Sequence, residues 1–352
     1  MKTLHMIAPD DWHCHLRDGE ALCRTVPDQA RSFRRSLVMP NLIDPLVSVA
    51  QVTAYRERIL AQVPVDRQFN PLFVLYLNQQ VTADELVRAK ACDYMFGCKL
   101  YPAGVTTGSQ AGVKMIDSIY PLLALMEELD LILLVHGEVN DPTVDIFDRE
   151  RVFIERHMLD IMARFPRLRV ILEHITTKDA VDFVASGPST LAATITAHHL
   201  LLNRNALFEG GLQPDHYCLP LLKRASHQQA LIQAAISGHP RFFLGTDIAP
   251  HTIDNKHKSC GCAGIYSSPV ALACYAEVFE QYDALDKLEG FACRHGPAFY
   301  GLPINTQTIT LSKASWQVPC SMPFSLSGVT PFRAGEVLPW RVEHDMLMPD
   351  LS

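Results

Sequence analysis

Basic clusters, strong positive charge and long apolar runs are all missing from this sequence of 352 residues. The formal net charge is −7, and no run of lysines and arginines suggests a nucleic-acid partner. One long uncharged stretch, residues 184–203, contains serine, threonine, proline and histidine, so it is a poor candidate for a membrane span. We therefore expect a protein that binds neither nucleic acid nor membranes.

Cysteine is present, but in no arrangement that suggests a framework of disulfide bonds. Pro9, Asp10 and Asp11 interrupt the apolar start of the chain, so we expect no export signal. Ten cysteines in a chain without such a signal are typical of reduced thiols, and we expect a cytoplasmic protein. Cys260 and Cys262 resemble half of a zinc knuckle, but no second cysteine pair lies nearby, which argues against one.

Strand-like and helix-like segments alternate along most of the chain. The predicted strands are 11–18, 36–39, 71–76, 94–100, 131–135, 170–173, 192–197 and 241–246. Helices are predicted for 19–29, 49–63, 113–129, 149–165, 223–236 and, as one long region, 269–299, and residues 203–222 are predicted to form an irregular functional loop. Thr82 and Glu85 form a Thr-x-x-Glu pattern that predicts a capping box. Eight strands separated by helices predict an α/β fold, a (β/α)8 TIM-type barrel formed by residues 1–352 as one domain, with the tail from Thr306 onward packed on it.

The first predicted strand carries two histidines on one face. Side chains alternate between the two faces of a strand, so His13 and His15 point the same way, Cys14 points away, and Arg17 falls on the histidine face. Two neighbouring imidazoles can bind one metal ion. A His-x-His pair also arises often by chance, so two ordinary polar residues at a strand end are the alternative.

Polar residues also follow the later predicted strands. The residues at these strand ends are Asn41, Lys99, His136, His174, His198 and Asp247. Each one alone is more typical of hydrogen-bonded scaffolding than of a ligand. In a (β/α)8 barrel, however, the carboxyl ends of all strands meet at one mouth, where the active site lies. Several imidazoles and a carboxylate at that mouth favour a zinc site, because these groups suit a borderline metal ion.

These residues lie in motifs that resemble the amidohydrolase superfamily, and within it the single-domain bacterial (type II) dihydroorotases. The motifs are DWHCHLRD at 11–18, MPN at 39–41, KLYPA at 99–103, VHGE at 135–138, LEHIT at 172–176, TAHHL at 196–200 and GTDIAPH at 245–251. The resemblance extends over nearly the whole chain. It implies a homodimeric enzyme that reversibly converts N-carbamoyl-L-aspartate into (S)-dihydroorotate with loss of water, a step of pyrimidine biosynthesis.

The resemblance also implies a metal centre with two Zn²⁺ ions per chain. The residues that it assigns to the ions are His13, His15, Lys99, His136, His174 and Asp247. One ion would lie on the two histidines of the first strand and the aspartate, the other on the two later histidines, and Lys99, carboxylated to N6-carboxylysine, would bridge them. Asp247 would in addition carry a proton from the attacking water to the leaving amide nitrogen. His198 is not assigned an ion and is expected to lie behind the ligands.

A further set of residues is implied for the substrate. The set comprises His15, Arg17, Asn41, Thr106, Thr107, His136, Leu219, His251 and Ala263. Arg17, with Asn41 and His251, would bind the substrate carboxylate, because a planar guanidinium matches two oxygens; a plain loop role is the alternative for His251. Leu219 and Ala263 would contribute backbone groups to the ring.

The loop at 104–109 has glycine near both ends and little apolar content, which favours mobility. With the resemblance, this composition predicts a lid that offers the hydroxyls of Thr106 and Thr107 to the substrate. A solvated connector is the alternative.

Two other functions are compatible with parts of this pattern. A hydantoinase or allantoinase would share the metal ligands but would not need the carboxylate-binding set with Arg17. A barrel that has lost catalysis and serves as an assembly partner of another pyrimidine enzyme should lack metal ligands, whereas all the expected ones are present here.

Overall fold

The computed structural model describes residues 2–343, and its strands and helices follow the predicted alternation. The strands are β1 (Thr3–Ile7), β2 (Asp10–Cys14), β3 (Arg35–Val38), β4 (Asn70–Leu77), β5 (Met95–Leu100), β6 (Ile132–Val135), β7 (Val170–Leu172), β8 (Leu191–Ile195), β9 (Phe242–Leu244), β10 (Thr308–Ser312), β11 (Trp316–Gln317), β12 (Val337–Leu338) and β13 (Arg341–Val342). The α-helices are α1 (Leu22–Ser32), α2 (Val49–Leu60), α3 (Ala83–Lys90), α4 (Tyr120–Glu128), α5 (Arg149–Phe153), α6 (Leu159–Arg164), α7 (Lys178–Ser186), α8 (Ala197–Leu201), α9 (Ala225–Ile236), α10 (Ile253–His257), α11 (Ala271–Gln281), α12 (Leu285–Glu289) and α13 (His295–Tyr300).

Strands β2 to β9 form an eight-stranded parallel sheet in sequential order. The sheet curls until its first and last strands meet. At this seam the N–H of Asp247 donates to the carbonyl of His13 at 2.8 Å, and the N–H of His15 donates to the carbonyl of Ile248 at 2.9 Å. The predicted (β/α)8 barrel is therefore confirmed.

Alternate residues of each barrel strand face opposite sides. The residues that pack inside the barrel include Leu37, Leu72, Val74, Ile132, Leu134, Ile171, Ala192 and Phe243. Their neighbours, such as Val38, Phe73 and Leu133, pack in the larger core beneath the helices. Because both faces of these strands are buried, most of their residues are apolar, as expected for a parallel sheet; strands β6, β7 and β9 are apolar throughout.

Helix α13 closes the amino-terminal end of the barrel. The ring of Tyr300 stacks on that of Trp12 with a centroid distance of 4.1 Å, and the carbonyl of Phe299 accepts a hydrogen bond from Arg169 at 2.7 Å. A Cβ at Gly296 would lie 1.9 Å from Nε1 of Trp12, so only glycine permits this approach. The barrel therefore opens only at its carboxyl-terminal mouth.

The described part of the tail packs against the barrel, as predicted. Strand β10 pairs with β1, which the sequence analysis did not predict, and with β13 in a small antiparallel sheet. Nε1 of Trp340 donates to Oε2 of Glu280 in α11 at 3.0 Å. Within residues 2–343, no helix combines the length and apolarity needed to cross a bilayer.

Some predicted boundaries were wrong. The first barrel strand ends at Cys14 rather than residue 18, because the chain turns at Arg17, whose φ is 61°. The helix predicted for 113–129 becomes α-helical only at Tyr120, because Val113 is held in the preceding loop by a hydrogen bond from its N–H to the carbonyl of Tyr101 at 2.8 Å. The long region 269–299 is broken into α11, α12 and α13, with a π-helical segment before the last.

The predicted capping box is only half formed. Oγ1 of Thr82 accepts the N–H of Glu85 at 3.3 Å, as predicted. The Glu85 carboxylate instead accepts the N–H of Val49 at 2.7 Å. This bond ties the start of α3 to the start of α2.

Candidate active site

The first candidate metal set lies at the seam of the barrel. Nε2 of His13 lies 3.2 Å from Nε2 of His15, and Oδ1 of Asp247 lies 3.3 Å from the former and 3.1 Å from the latter. All three side chains are buried, and their ligand atoms lie within 4.8 Å of one another. Two imidazoles and a carboxylate that converge in this way are a donor set suited to Zn²⁺.

The second set lies beside it, at the ends of β5, β6 and β7. The ring centroid of His174 lies 4.9 Å from that of His13 and 4.8 Å from that of His136. The ammonium of Lys99 is fully buried and pairs with the carboxylate of Glu173. Nδ1 of His174 has no hydrogen-bond partner among the described residues. Burying a polar atom without a hydrogen-bond partner costs folding free energy unless a ligand binds to that atom.

Burial sets the protonation of this cluster. It lowers the pKa of His15 to about 4 and that of His174 well below the usual value, so both imidazoles are neutral near pH 7. For His13 the effect of burial is outweighed by neighbouring carboxylates, Glu173 foremost, which raise its pKa. Burial also lowers the pKa of Lys99, although Glu173 opposes the shift. Neutral imidazole is the form of histidine that binds metal ions.

Hydrogen bonds behind two of the imidazoles fix their tautomers. Nδ1 of His15 donates to Oδ1 of Asn41 at 2.8 Å, and Nε2 of His136 donates to Oε2 of Glu138 at 3.0 Å. The opposite ring nitrogen of each histidine is then unprotonated and can bind a metal ion. Outer partners of this kind orient metal ligands in many proteins.

Two further buried carboxylates hold the loops that carry the ligands. Glu150 accepts hydrogen bonds from the backbone N–H groups and the hydroxyls of residues 176–177, directly after the histidine of β7. Asp11 accepts the N–H of Thr246 at 2.8 Å and that of His13 at 3.1 Å, across the seam. Both ends of the metal set are thus fixed by backbone bonds.

Three site residues adopt left-handed backbone conformations. The φ angles are 61° at Arg17, 41° at His174 and 49° at Asp247. Such angles cost a residue with a side chain roughly 1–3 kcal/mol. All three lie within three residues of the end of a barrel strand, at the turn that directs the chain across the mouth. Glycine would relieve the strain but would remove the functional group.

A narrow cavity of about 20 Å³ lies among the predicted residues. Its lining includes His15, Arg17, Asn41, Thr106, Thr107, His136, His174, Leu219, Asp247 and Ala263. The space admits little more than one water molecule. A separate cavity of about 610 Å³, beside residues 113–117, contains none of the predicted site residues in its lining.

Arg17 is positioned by its neighbours on the far side of the mouth. Its Nε donates to the carbonyl of Pro250 at 3.1 Å, and its Nη2 lies 3.0 Å from Nε2 of His251. Within residues 2–343 the guanidinium has no ion-pair partner, so its charge is available to an anion. His251 lies behind Arg17 and does not line the narrow cavity; its Nε2 is also 3.0 Å from the carbonyl of Ala263.

The loop at 104–109 is folded over the cavity. The carbonyl of Thr107 accepts a hydrogen bond from Nδ2 of Asn41 at 3.2 Å, and its Oγ1 lies 3.5 Å from the carbonyl of Ala263. Ser109 closes the loop on itself, since its Oγ donates to the carbonyl of Thr106 at 2.6 Å.

Within residues 2–343, the remaining histidines and cysteines join neither of the two candidate metal sets, although Cys218 lines the narrow cavity. Nδ1 and Nε2 of His199 are occupied by Oγ1 of Thr196 at 2.7 Å and the carbonyl of Pro220 at 3.1 Å, although His198, His199 and Cys218 lie close enough to share an ion. His198 is fully buried, and neither of its ring nitrogens is bonded to a described residue; that it lies behind the ligands stays a prediction. Cys260 and Cys262 belong to no metal-binding group among residues 2–343.

The sequence analysis missed the buried carboxylates. Glu173 precedes a ligand histidine directly and lies 2.9 Å from Nδ1 of His13. Glu138 follows a ligand by two residues, and Asp11 precedes one by two. An acidic residue within two positions of His13, His136 and His174 was therefore a usable signal. Glu150 lies far from any ligand in the sequence, and nothing local marked it.

Comparison with known proteins gives a consistent result. A profile of the Amidohydrolase family matches residues 11–192. A dihydroorotase from Nitrosomonas eutropha is 58% identical over 336 residues, which cover 95% of this chain and 97% of that protein. The crystal structure of dihydroorotase from Campylobacter jejuni matches with a TM-score of 0.89 at 36% identity, covering 97% of this chain and 98% of that one. Dihydroorotase from Saccharomyces cerevisiae in complex with 5-fluoroorotic acid matches with the same TM-score at 31% identity and the same coverage.

Proposed function

Because the chain belongs to the dihydroorotase family of the amidohydrolase superfamily, we propose that it catalyses the reversible cyclisation of N-carbamoyl-L-aspartate to (S)-dihydroorotate. The observation that carries this proposal is the pairing of two features at one barrel mouth. One is a buried set of imidazoles and carboxylates suited to metal ions, and the other is the unpaired guanidinium of Arg17. The substrates are carboxylates with an amide bond to be formed or broken, and they need both features.

The donor set fits two divalent metal ions, and we take these to be Zn²⁺. His13, His15 and Asp247 would hold one ion, and His136 and His174 the other. The fit is supported by the neutral imidazoles of His15 and His174, by the unpartnered Nδ1 of His174, and by the tautomers that leave one ring nitrogen unprotonated on His15 and on His136. Ions held there supply polarisation of the substrate carbonyl and acidification of water at the mouth.

Lys99, carboxylated to N6-carboxylysine, would offer its two anionic oxygens to the two ions. An ammonium cannot bind a cation, so the amine must first lose its proton, and burial favours that loss by lowering the pKa of Lys99. The neutral amine then adds to CO₂, which forms an N–C bond and releases a proton. Glu173 loses its partner in this step but retains His13, whose Nδ1 lies 2.9 Å away.

Asp247 acts as the proton carrier as well as a metal ligand. In the hydrolytic direction its carboxylate accepts the proton of the attacking water and delivers it to the amide nitrogen that leaves. Burial opposes the charged form, but the nearby imidazoles, His13 foremost, hold the pKa of Asp247 well below its usual value. The carboxylate is therefore ionised and ready to accept a proton at neutral pH.

The substrate is held by a charged side chain and by backbone groups. Arg17 binds the carboxylate, with Asn41 beside it and His251 supporting the guanidinium from behind. Leu219 and Ala263 line the same cavity and would contribute backbone groups to the ring. The structure of the yeast relative contains 5-fluoroorotic acid, which, like dihydroorotate, is a six-membered pyrimidine ring that carries a carboxylate.

The loop at 104–109 acts as the lid. The narrow cavity is too small for the substrate, so the loop must open to admit it. When the loop closes, Thr106 and Thr107 donate hydrogen bonds to substrate oxygen on which charge builds during attack.

We further propose that residues 1–352 act as a single catalytic domain, in a cytoplasmic homodimer. The cytoplasmic location is supported by ten cysteines whose spacing suggests no framework of disulfide bonds. The dimer is supported by the family resemblance, and light scattering of the purified protein tests it.

The function is tested by assaying both directions with dihydroorotate and N-carbamoyl-L-aspartate, together with metal analysis of the purified protein. We expect turnover of both substrates, two zinc ions per chain and loss of turnover after chelation. Hydantoin serves as the control substrate, because it lacks the carboxylate. Turnover of hydantoin without turnover of dihydroorotate would contradict the proposal.

A further inference from the structure

Lys256, in the short helix α10, is a buried cation with no place in the reaction described above. Its side chain is only 5% exposed. The ammonium donates hydrogen bonds to three backbone carbonyls: those of Tyr217 at 2.8 Å, Cys262 at 3.1 Å and Gly264 at 2.7 Å. An ammonium has three N–H groups, so all of them are used.

The three carbonyls belong to two segments that line the substrate cavity. Cys262 and Gly264 flank Ala263, and Tyr217 lies two residues before Leu219. We refer to these as the 217–219 and 262–264 segments. They are joined by one backbone hydrogen bond, from the N–H of Gly264 to the carbonyl of Tyr217 at 2.9 Å. The ammonium lies at this junction and bonds to both segments.

The charge of Lys256 is balanced by carbonyl dipoles alone. Within the described residues it has no ion-pair partner, and the carboxylate of the nearby Asp215 is bonded to His257 at 3.1 Å. Burying an uncompensated ammonium is costly, so its retention here needs a structural benefit. That benefit is the fixed position of two irregular segments, neither of which is part of a helix or strand at these residues.

The fixed position of the two segments matters for function because of the peptide N–H groups of Leu219 and Ala263. Neither N–H donates a hydrogen bond to another residue within 2–343. Both residues line the same narrow cavity as Arg17. Backbone donors can recognise a ring only when their positions are fixed before the ligand arrives.

We propose that Lys256 is a positioning residue for substrate binding. It holds the 217–219 and 262–264 segments in place so that the backbone groups of Leu219 and Ala263 can bind the substrate ring. This inference rests on the proposed function. Lys256 touches neither the metal ligands nor the reacting atoms, so its loss should weaken binding more than it slows chemistry.

The test compares Lys256→Met with Lys258→Met. Lys258 directly follows helix α10, is exposed and donates only to Oδ1 of Asn255 at 3.0 Å, so it is a matched control. We expect Lys256→Met to raise the KM for dihydroorotate about tenfold or more, since three buried carbonyls lose their donor. Its kcat should fall less than its kcat/KM, and its zinc content should match the wild type. Lys258→Met should match the wild type in all three.

Conservative rescue separates positioning from simple stability. Lys256→Arg retains the charge and several donors, and we expect it to recover part of the lost affinity. If Lys256→Met folds with a wild-type KM, or loses zinc in proportion to its activity, the positioning role is wrong. If the wild type and Lys258→Met also fail to turn over dihydroorotate, the proposed function itself fails, and this inference with it.

A second measurement applies even if Lys256→Met does not fold. Burial lowers the pKa of Lys256 to about 8, so the ammonium loses its charge above that pH. We expect the KM of the wild type to rise above pH 8, whereas that of Lys256→Arg should stay level, because a guanidinium remains charged.

Other groups that face Lys256 must be accounted for in this profile. They are Asp215, Tyr217, Cys218, Cys262, His198 and His251. Burial raises the pKa of Cys218 to about 12 and lowers those of His198 and His251 to about 4 and 3, so these three do not titrate in the range used. Cys262 is replaced by serine in both enzymes, so that a thiol next to Ala263 contributes to neither pH profile of the KM. If the KM of Lys256→Arg rises above pH 8 as much as that of the wild type, the inference is wrong.

Discussion

Replacing Arg17 by lysine tests how the substrate carboxylate is bound. A guanidinium has five N–H donors. In the structure Nε donates to the carbonyl of Pro250, and one N–H of Nη2 is directed to His251. Three N–H groups on Nη1 and Nη2 remain, enough for a two-oxygen grip on a carboxylate. Lysine retains the charge but cannot reproduce this planar fork.

The expected loss follows from the number of bonds removed. Arg17→Lys gives up at least one charge-assisted hydrogen bond, worth about 1.5–3 kcal/mol, which corresponds to a rise in KM of roughly 10- to 150-fold. The kcat should change less, because Arg17 does not touch the bond that is broken. Zinc content should be unchanged, since neither Arg17 nor its partners bind the ions.

The assay measures dihydroorotate hydrolysis by absorbance, with dihydrouracil as the matched comparison. Dihydrouracil is dihydroorotate without its carboxylate, so its inhibition constant should be the same for the wild type and for Arg17→Lys. An equal loss of affinity for both ligands would show that Arg17 supports the pocket in general. An unchanged KM for dihydroorotate would place the carboxylate elsewhere.

The other predictions concern the metal centre, the lid and acid stability. Lys99→Ala should lose most activity and bind less zinc, with partial recovery in short carboxylic acids and added zinc; full activity with two tightly held ions would refute the bridge. Asp247→Asn should lower kcat roughly 100-fold or more, the usual scale for acid–base catalysis, and a near wild-type kcat with metals in place would exclude the proton role. The double variant Thr106→Ala/Thr107→Ala should lower kcat/KM about tenfold, with zinc content and melting temperature unchanged, and equal activity would reduce the loop to a connector. Because burial lowers the pKa of His15 to about 4, the chelator-treated protein should lose stability as pH falls from about 6.5 towards 4; denaturant titrations at several pH values check this, and a flat profile would contradict it.

The barrel was predictable because its signals are local and repeated. Apolar runs of four to six residues mark buried parallel strands, and a polar residue after each run marks the mouth. The convergence of His13 and Asp247 also followed from topology, since the first and last strands of such a barrel are neighbours. Local signals predict the ends of the strands less well. The left-handed backbone conformation of Arg17 ends the first barrel strand early, and nothing about an arginine in the sequence indicates a positive φ angle.

The parts that could not be predicted depend on distant pairing or on burial. Strand β1 pairs with β10 about 300 positions later, and short polar strands of this kind carry little periodic signal. Glu150 and Lys256 read as ordinary surface charges, because charged residues are rarely buried. Only the folded chain shows that each is enclosed and bonded to the backbone of a functional loop.

The seam of the barrel also bears on how the protein is made. His15 and Asp247, which lie on opposite sides of the seam, are 232 positions apart in the chain. A growing polypeptide therefore presents His13 and His15 long before the aspartate has been synthesised. Domains tend to fold as whole units, so the ion that we propose for these three residues would meet its complete ligand set only once the ring of strands has closed. Incorporation of the proposed ion would then be a late event, and an ion bound across the seam would stabilise the closed barrel against reopening.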